Sequence, residues 1–129
     1  MITGIRIDSV EAARQKNDDI KGLDINIGVD DVSIVGGDIE IKFSYTANYK
    51  DDVGYLKMKG SLFVHEDSKK TKEIESNWQS KKRLPNDFSE MVLNAINFTC
   101  GTNGVLVVRP VNLAPPMVPP KIQIAEDKS

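Results

Sequence analysis

The feature that most constrains the fold is a long segment in which apolar and polar residues alternate. Residues 38–49 read DIEIKFSYTANY, and every second side chain from Ile39 to Tyr49 is apolar or aromatic. Because successive side chains of a β-strand point to opposite faces, this alternation predicts a strand with one buried face. An amphipathic helix would instead repeat its apolar residues every three or four positions.

Two flanking segments alternate in the same way: LDINIGV at 23–29 and YLKMKGSLFV at 55–64. The connections VGGD and YKDDVGY are short, which favours antiparallel hairpins over crossovers that contain a helix. RIDSV near the start predicts a further strand, followed by EAARQ as a helical turn or a bulged continuation. VSIV is a short strand or the tail of the strand before it. The pattern predicts a sheet over about 2–65, and KIQI at 121–124 could form one more strand.

Two segments after the sheet have other patterns. Residues 68–83 are polar except for Ile74 and Trp78, whose spacing of four fits a short amphipathic helix or a loop. The main helix is predicted over about 86–101 and could extend to 109, where Pro110 stops it.

A sheet with one apolar face needs a cover. The fold class is therefore α+β, with a four- to five-stranded antiparallel sheet covered on one face by a C-terminal helix. The inward face of the helix comprises Phe88, Met91, Val92, Ala95, Ile96 and Thr99 or Cys100.

A proline-rich strap is predicted over 110–124. The stretch VNLAPPMVPPKIQI holds four prolines among apolar residues, which favours extended backbone. The segment either packs on the chain's own core or lines a groove for another chain, and one strap could do both.

Composition narrows the class of protein. The chain of 129 residues is predicted to be a single domain over 1–129, and its net charge of −2 is too small to gather nucleic acid or a membrane surface. No export signal is indicated, and no apolar run approaches the roughly 20 residues of a membrane span. We therefore expect a cytoplasmic protein that does not insert into membranes.

Catalytic and metal-binding motifs are missing from the sequence. His65 lies in FVHEDS without a nucleophile motif, and Cys100 lies on the inward stripe of the predicted helix. A single histidine and a single cysteine support neither a disulfide nor a multi-cysteine metal site. The sequence predicts a protein that is not an enzyme and has no cofactor or metal.

The segment around Trp78 allows one nucleic-acid hypothesis. Six cations surround this tryptophan, and an aromatic ring among cations suits single-stranded RNA. Glu66, Asp67, Glu73 and Glu75 nearly balance those charges, which favours a solvated face with a tryptophan that packs on the body. RNA binding is therefore the weakest alternative.

The order of these features resembles the SecB-type protein-export chaperones. A first strand of the IRIDSVE kind, LDINIGVDD, DIEIKFSYTANY and YLKMKGSLFVHED follow in the family's order. After the helix, VNLAPP is similar to the family's NLAPV stretch, with Asn112, Leu113, Ala114 and Pro115 matching as a motif.

The resemblance implies a function without catalysis. It implies ATP-independent holding of unfolded or extended polypeptide in hydrophobic grooves, by subunits assembled as a homo-oligomer, a dimer or a tetramer. Alternatives are an oligomeric structural or adaptor domain with one specific protein partner and, less favoured, the RNA-binding module. In this interpretation Trp78 forms a wall, and the polypeptide-binding residues are Val107, Val111, Leu113, Pro115, Met117 and Val118.

Overall fold

A computed structural model describes residues 1–115 of the chain. Its framework is a four-stranded antiparallel sheet in the spatial order β1–β4–β3–β2. This confirms the α+β fold class with four strands. The further strand expected at 121–124 lies outside the described residues. The strands are β1 (Ile2–Arg14), β2 (Leu23–Val35), β3 (Asp38–Tyr49) and β4 (Gly54–Val64).

The connections give the sheet a Greek-key order. Hairpins join β2 to β3 and β3 to β4, and β1 returns to pair with β4. Gly36 and Gly37 form the first turn with φ of 59° and 86°, the positive angles that two-residue hairpins require. A 3-10 turn over Lys50–Asp52 makes the second connection.

The structure decides two alternatives that the sequence left open. EAARQ continues β1 as far as Arg14, with a register shift between Ile7 and Ser9, so the bulged continuation is right and the helical turn is wrong. VSIV is the tail of β2, paired up to the hairpin where Val35 faces Asp38.

Two helices cover one face of the sheet. α1 spans Ser68–Lys81. Asp67 caps its start, because the Asp67 carboxylate accepts a hydrogen bond from the backbone N–H of Lys70 at 2.7 Å. α2 spans Asn86–Val108. The longer of the two predicted lengths is right, since the helix continues past Gly101. Val108 at its last position is buried in the core.

The core forms between the alternating face of the sheet and the inner faces of the helices. From Ile39 to Tyr49, every alternate side chain of β3 is at most 2% exposed, as the alternation predicts. Apolar burial of this kind stabilises by roughly 25 cal/mol per Å² removed from water. The helices contribute Ile74, Trp78, Phe88, Val92, Ile96, Cys100 and Val108 to this core.

The chain after α2 differs from the prediction at its start. Arg109–Val111 forms a 3-10 turn and not extended backbone, and Asn112 follows with φ of 58°. The proline ring fixes φ near −65°, which suits a helical turn as well as an extended chain. The predicted strap beyond Pro115 lies outside the described residues.

One helix qualifies by length and composition as a candidate membrane span. Within the 26 residues Asn86–Val111, a window of 18 residues has a mean hydropathy of 1.4, and 39% of that window is buried. The sequence prediction found no such run, because polar residues such as Asn94 and Thr99 interrupt it. Packing of Val92, Ile96 and Cys100 into the core accounts for the buried part of this apolar helix.

Candidate polypeptide-binding site

The first residues of the proline-rich segment pack on the chain's own core. Leu113 is only 5% exposed, and its backbone N–H donates to the carbonyl of Val108 at 3.2 Å. Nε of Arg14 donates to the carbonyl of Val111 at 3.1 Å. The hydroxyl of Tyr49 donates to the carbonyl of Ala114. Residues 111–114 therefore cross the end of the sheet and pack on the chain's own core.

Gly54 makes room for this segment. A Cβ at this position would lie 2.6 Å from the carbonyl oxygen of Ala13 and 2.8 Å from Cδ2 of Leu113. Such distances are far shorter than van der Waals contacts. The absent side chain at Gly54 thus lets both β1 and Leu113 approach the start of β4.

The six binding residues predicted at the end of α2 and in the proline-rich segment fall into three groups. Leu113 belongs to the core and does not line an open groove in this arrangement. Val107 and Val111 are half-buried at its edge, and Pro115 is exposed. Met117 and Val118 lie outside the described residues. A role of these residues in polypeptide binding stays a prediction.

The outer face of α2 is apolar and exposed. Phe98 is 63% exposed, Val105 43% and Leu106 65%. Phe98 and Leu106 are eight residues apart and so lie on one side of the helix, two turns from each other. Clustered apolar side chains at the surface are typical of sites that bind another chain.

The predicted binding residues do not include the exposed side of α2. They include Val107 of this helix but neither Phe98 nor Leu106. The available signal was that apolar residues occur all around the second half of the helix, whereas a helix with one buried face needs only one apolar stripe.

Trp78 lies at a second apolar feature, a cavity of about 270 Å³ where the end of α1 meets the start of α2. The tryptophan is 8% exposed, and its Nε1 has no hydrogen-bond acceptor among the described residues. The Nζ of Lys82 lies 5.5 Å from the centroid of its ring. The cavity is lined by Val29, Trp78, Lys82, Arg83, Leu84, Asn86, Ser89 and Leu93.

The burial of Trp78 bears on the RNA-binding alternative. Stacking of a base requires an open face of the aromatic ring. Because only 8% of Trp78 is exposed, the ring packs against the core and does not form a stacking platform. The structure thus removes the observation on which this alternative depended.

The two residues considered for catalysis, His65 and Cys100, lie in different surroundings. Nδ1 of His65 lies 2.7 Å from a carboxylate oxygen of Asp38 in an exposed pair. Cys100 is buried, and burial raises the pKa of its thiol to about 12, which keeps it protonated at neutral pH. Within residues 1–115, no group of three His, Cys, Asp or Glu side chains could hold a metal ion.

Comparison with solved structures shows a likeness in fold. No protein-family model matches the sequence, and no curated protein matches it at a significant level. Among solved structures, the Mycobacterium tuberculosis SecB-like chaperone Rv1957, in complex with a ChAD peptide from the Rv1956 HigA1 antitoxin, superposes with a TM-score of 0.60. The match covers 89% of this chain and 82% of that chain at 15% identity.

This chain has a distant SecB-like fold. The sequence resemblance is thereby confirmed for the fold. The SecB-like architecture combines the four-stranded Greek-key sheet with the long helix α2. At 15% identity the likeness extends to the fold alone, and the binding properties need their own argument.

Proposed function

We propose that this chain is a SecB-like holdase, a protein without catalysis or cofactor that binds unfolded or extended polypeptide through apolar surface. The observation that carries the proposal is the exposed apolar side of α2, with Phe98 and Leu106 both more than 60% exposed, in a chain with a SecB-like fold. Burial of such side chains against an extended chain supplies binding free energy without sequence specificity.

The solved neighbour supports a polypeptide partner. That SecB-like chaperone is in complex with a peptide from an antitoxin, so a chain with this fold can bind peptide. For the present chain, the proposed binding surface combines the outer side of α2 with the edge of the strap at Val107, Val111 and Pro115. The prediction also includes Met117 and Val118.

Homo-oligomer formation is part of the proposal. β1 is an edge strand of 13 residues that pairs only with β4 within the described part of the chain. Its outer edge therefore offers backbone groups to a second copy. Val10 on this strand is 50% exposed. We expect a dimer or tetramer, located in the cytoplasm.

An aggregation assay tests whether the chain holds unfolded polypeptide. A chemically denatured test protein is diluted into buffer with and without the chain, and light scattering is recorded. We expect suppression at near-stoichiometric ratio. Phe98→Asp combined with Leu106→Asp should abolish it, whereas Asn103→Asp should not, because Asn103 is an exposed α2 residue whose replacement adds charge without removing apolar surface. Circular dichroism checks that each variant is folded.

A second candidate function is an adaptor with one specific protein partner. The neighbour's complex with one antitoxin peptide favours this alternative. An adaptor would bind its partner tightly but would not suppress aggregation of unrelated proteins. Lack of suppression by a folded, oligomeric wild type would therefore overturn the holdase and leave the adaptor.

A further inference from the structure

The cavity beside Trp78 combines apolar walls with one unused hydrogen-bond donor. Val29, Leu84 and Leu93 form its apolar part. The indole Nε1–H of Trp78 is buried and has no acceptor among the described residues. A buried donor without an acceptor destabilises the fold, so an acceptor brought by a ligand would recover free energy that the unliganded fold loses.

The charged residues that line the cavity are both basic. Lys82 and Arg83 both line it, and none of its eight lining residues is acidic. Lys82 adopts a left-handed conformation with φ of 52°, and its backbone N–H donates to the carbonyl of Trp78 at 2.9 Å. This conformation fixes the backbone from which the Lys82 ammonium reaches the tryptophan ring.

The start of α2 also borders the cavity, and its first turn carries the acidic residue Asp87. Asn86 and Ser89, in its first turn, line the cavity, and Pro85 at the N-cap provides no side-chain hydrogen bond. The first backbone N–H groups of a helix have no partner within the helix, and the N-terminus carries partial positive charge. The unpartnered indole N–H and the Lys82 ammonium beside it both favour an anionic oxygen.

The surroundings indicate what carries this anion. The cavity borders β2 at Val29, and the preceding inward side chains Leu23, Ile25 and Ile27 are only half-buried. β2 is an edge strand that pairs only with β3 in the described residues. A volume of about 270 Å³ is small beside ligand pockets of about 300–1,000 Å³, so it suits one side chain of a longer chain that runs along β2.

We infer that this cavity is a carboxylate subsite: it takes an Asp or Glu side chain of a bound polypeptide whose neighbouring apolar residues contact β2. The inference rests on the proposed polypeptide-binding function and adds a preference to it. The holdase then binds apolar segments with an adjacent acidic residue more tightly than uncharged ones. Because Nε1 itself is shielded from solvent, the carboxylate reaches it through small side-chain movements of the kind common at interfaces.

The test uses two matched peptides and the intact chain. Both peptides are acetylated and amidated, contain leucine and valine but no tryptophan, and differ only by Glu or Gln at one central position. Calorimetry gives the dissociation constants. Trp78 is the single tryptophan of the chain, so a change in its fluorescence places the peptide at this cavity. We expect the Glu peptide to bind about tenfold more tightly, as charge-assisted hydrogen bonds predict.

Three variants separate the subsite from general charge attraction. Lys82→Gln should reduce the affinity for the Glu peptide to that for the Gln peptide. Lys21→Gln removes the same charge from an exposed position that does not line the cavity and should leave the difference intact. Trp78→Phe keeps an aromatic ring but loses the N–H donor. In a folded variant, this substitution should reduce the difference in affinity between the Glu peptide and the Gln peptide.

The outcomes distinguish the two proposals. Equal affinity for the two peptides in the wild type would overturn the carboxylate subsite and leave the holdase intact. Equal losses from Lys82→Gln and Lys21→Gln would also overturn it, because the attraction would then be non-specific. Failure of both peptides to bind would overturn the polypeptide-binding function together with the inference.

Discussion

Two leucines near the end of the described chain provide a matched test of which apolar residues belong to the core. Leu113 is 5% exposed and packs against Gly54, whereas Leu106 on α2 is 65% exposed. Replacing either residue by alanine removes the same three carbon atoms. The two substitutions therefore differ only in how much buried surface they remove.

The expected magnitudes follow from burial. Three fully buried carbon atoms contribute about 2.4 kcal/mol at roughly 0.8 kcal/mol each, and a residual cavity adds to the cost. We expect Leu113→Ala to lower the free energy of unfolding by about 2.5–3 kcal/mol. Because two thirds of Leu106 is already exposed, Leu106→Ala should cost less than about 1 kcal/mol.

Urea unfolding monitored by Trp78 fluorescence measures both values. It should be run at two protein concentrations, since burial of Leu106 between copies in an oligomer would make its effect depend on concentration. Equal costs of the two substitutions at the lower concentration would refute the reasoning. The start of the proline-rich segment would then not be packed on the core.

Three further outcomes are expected. Gly54→Ala should destabilise the fold by about 2 kcal/mol or more, because its Cβ would overlap the carbonyl of Ala13; an unchanged urea midpoint would contradict this close approach. Cys100 should resist a thiol reagent at pH 8 until urea unfolds the chain, because burial raises its pKa to about 12; rapid modification of the folded chain would contradict its burial. Asp67→Ala should lower the free energy of unfolding by about 1 kcal/mol through loss of the hydrogen bond from the N–H of Lys70, and an unchanged thermal midpoint would argue against this cap.

The sheet could be predicted because its signal is local. Alternation from Ile39 to Tyr49 determines the buried face directly, and the structure buries that face. The two glycines of the first hairpin likewise indicate a tight turn. The strand order is less accessible, since pairing of β1 with β4 depends on contacts distant in sequence.

The site was harder to predict because it depends on how elements pack together. Leu113 is buried and Leu106 is exposed. Their local sequences do not reveal this difference, because both leucines lie in apolar segments close to a proline. The carboxylate subsite joins Trp78, Val29 and the start of α2, which only the tertiary arrangement brings into contact. Trp78 was expected as a groove wall; it lines a cavity, while its role in binding stays a prediction.

Binding of an unfolded polypeptide at the outer side of α2 is the central claim, and fluorescence anisotropy tests it most directly. A reduced, denatured and dye-labelled protein is titrated with the wild type, with Asn103→Asp, and with the double variant Phe98→Asp and Leu106→Asp. The account predicts saturable binding by the first two and at least a tenfold weaker affinity for the double variant, roughly 1.4 kcal/mol or more. Equal affinity of all three folded proteins would contradict it.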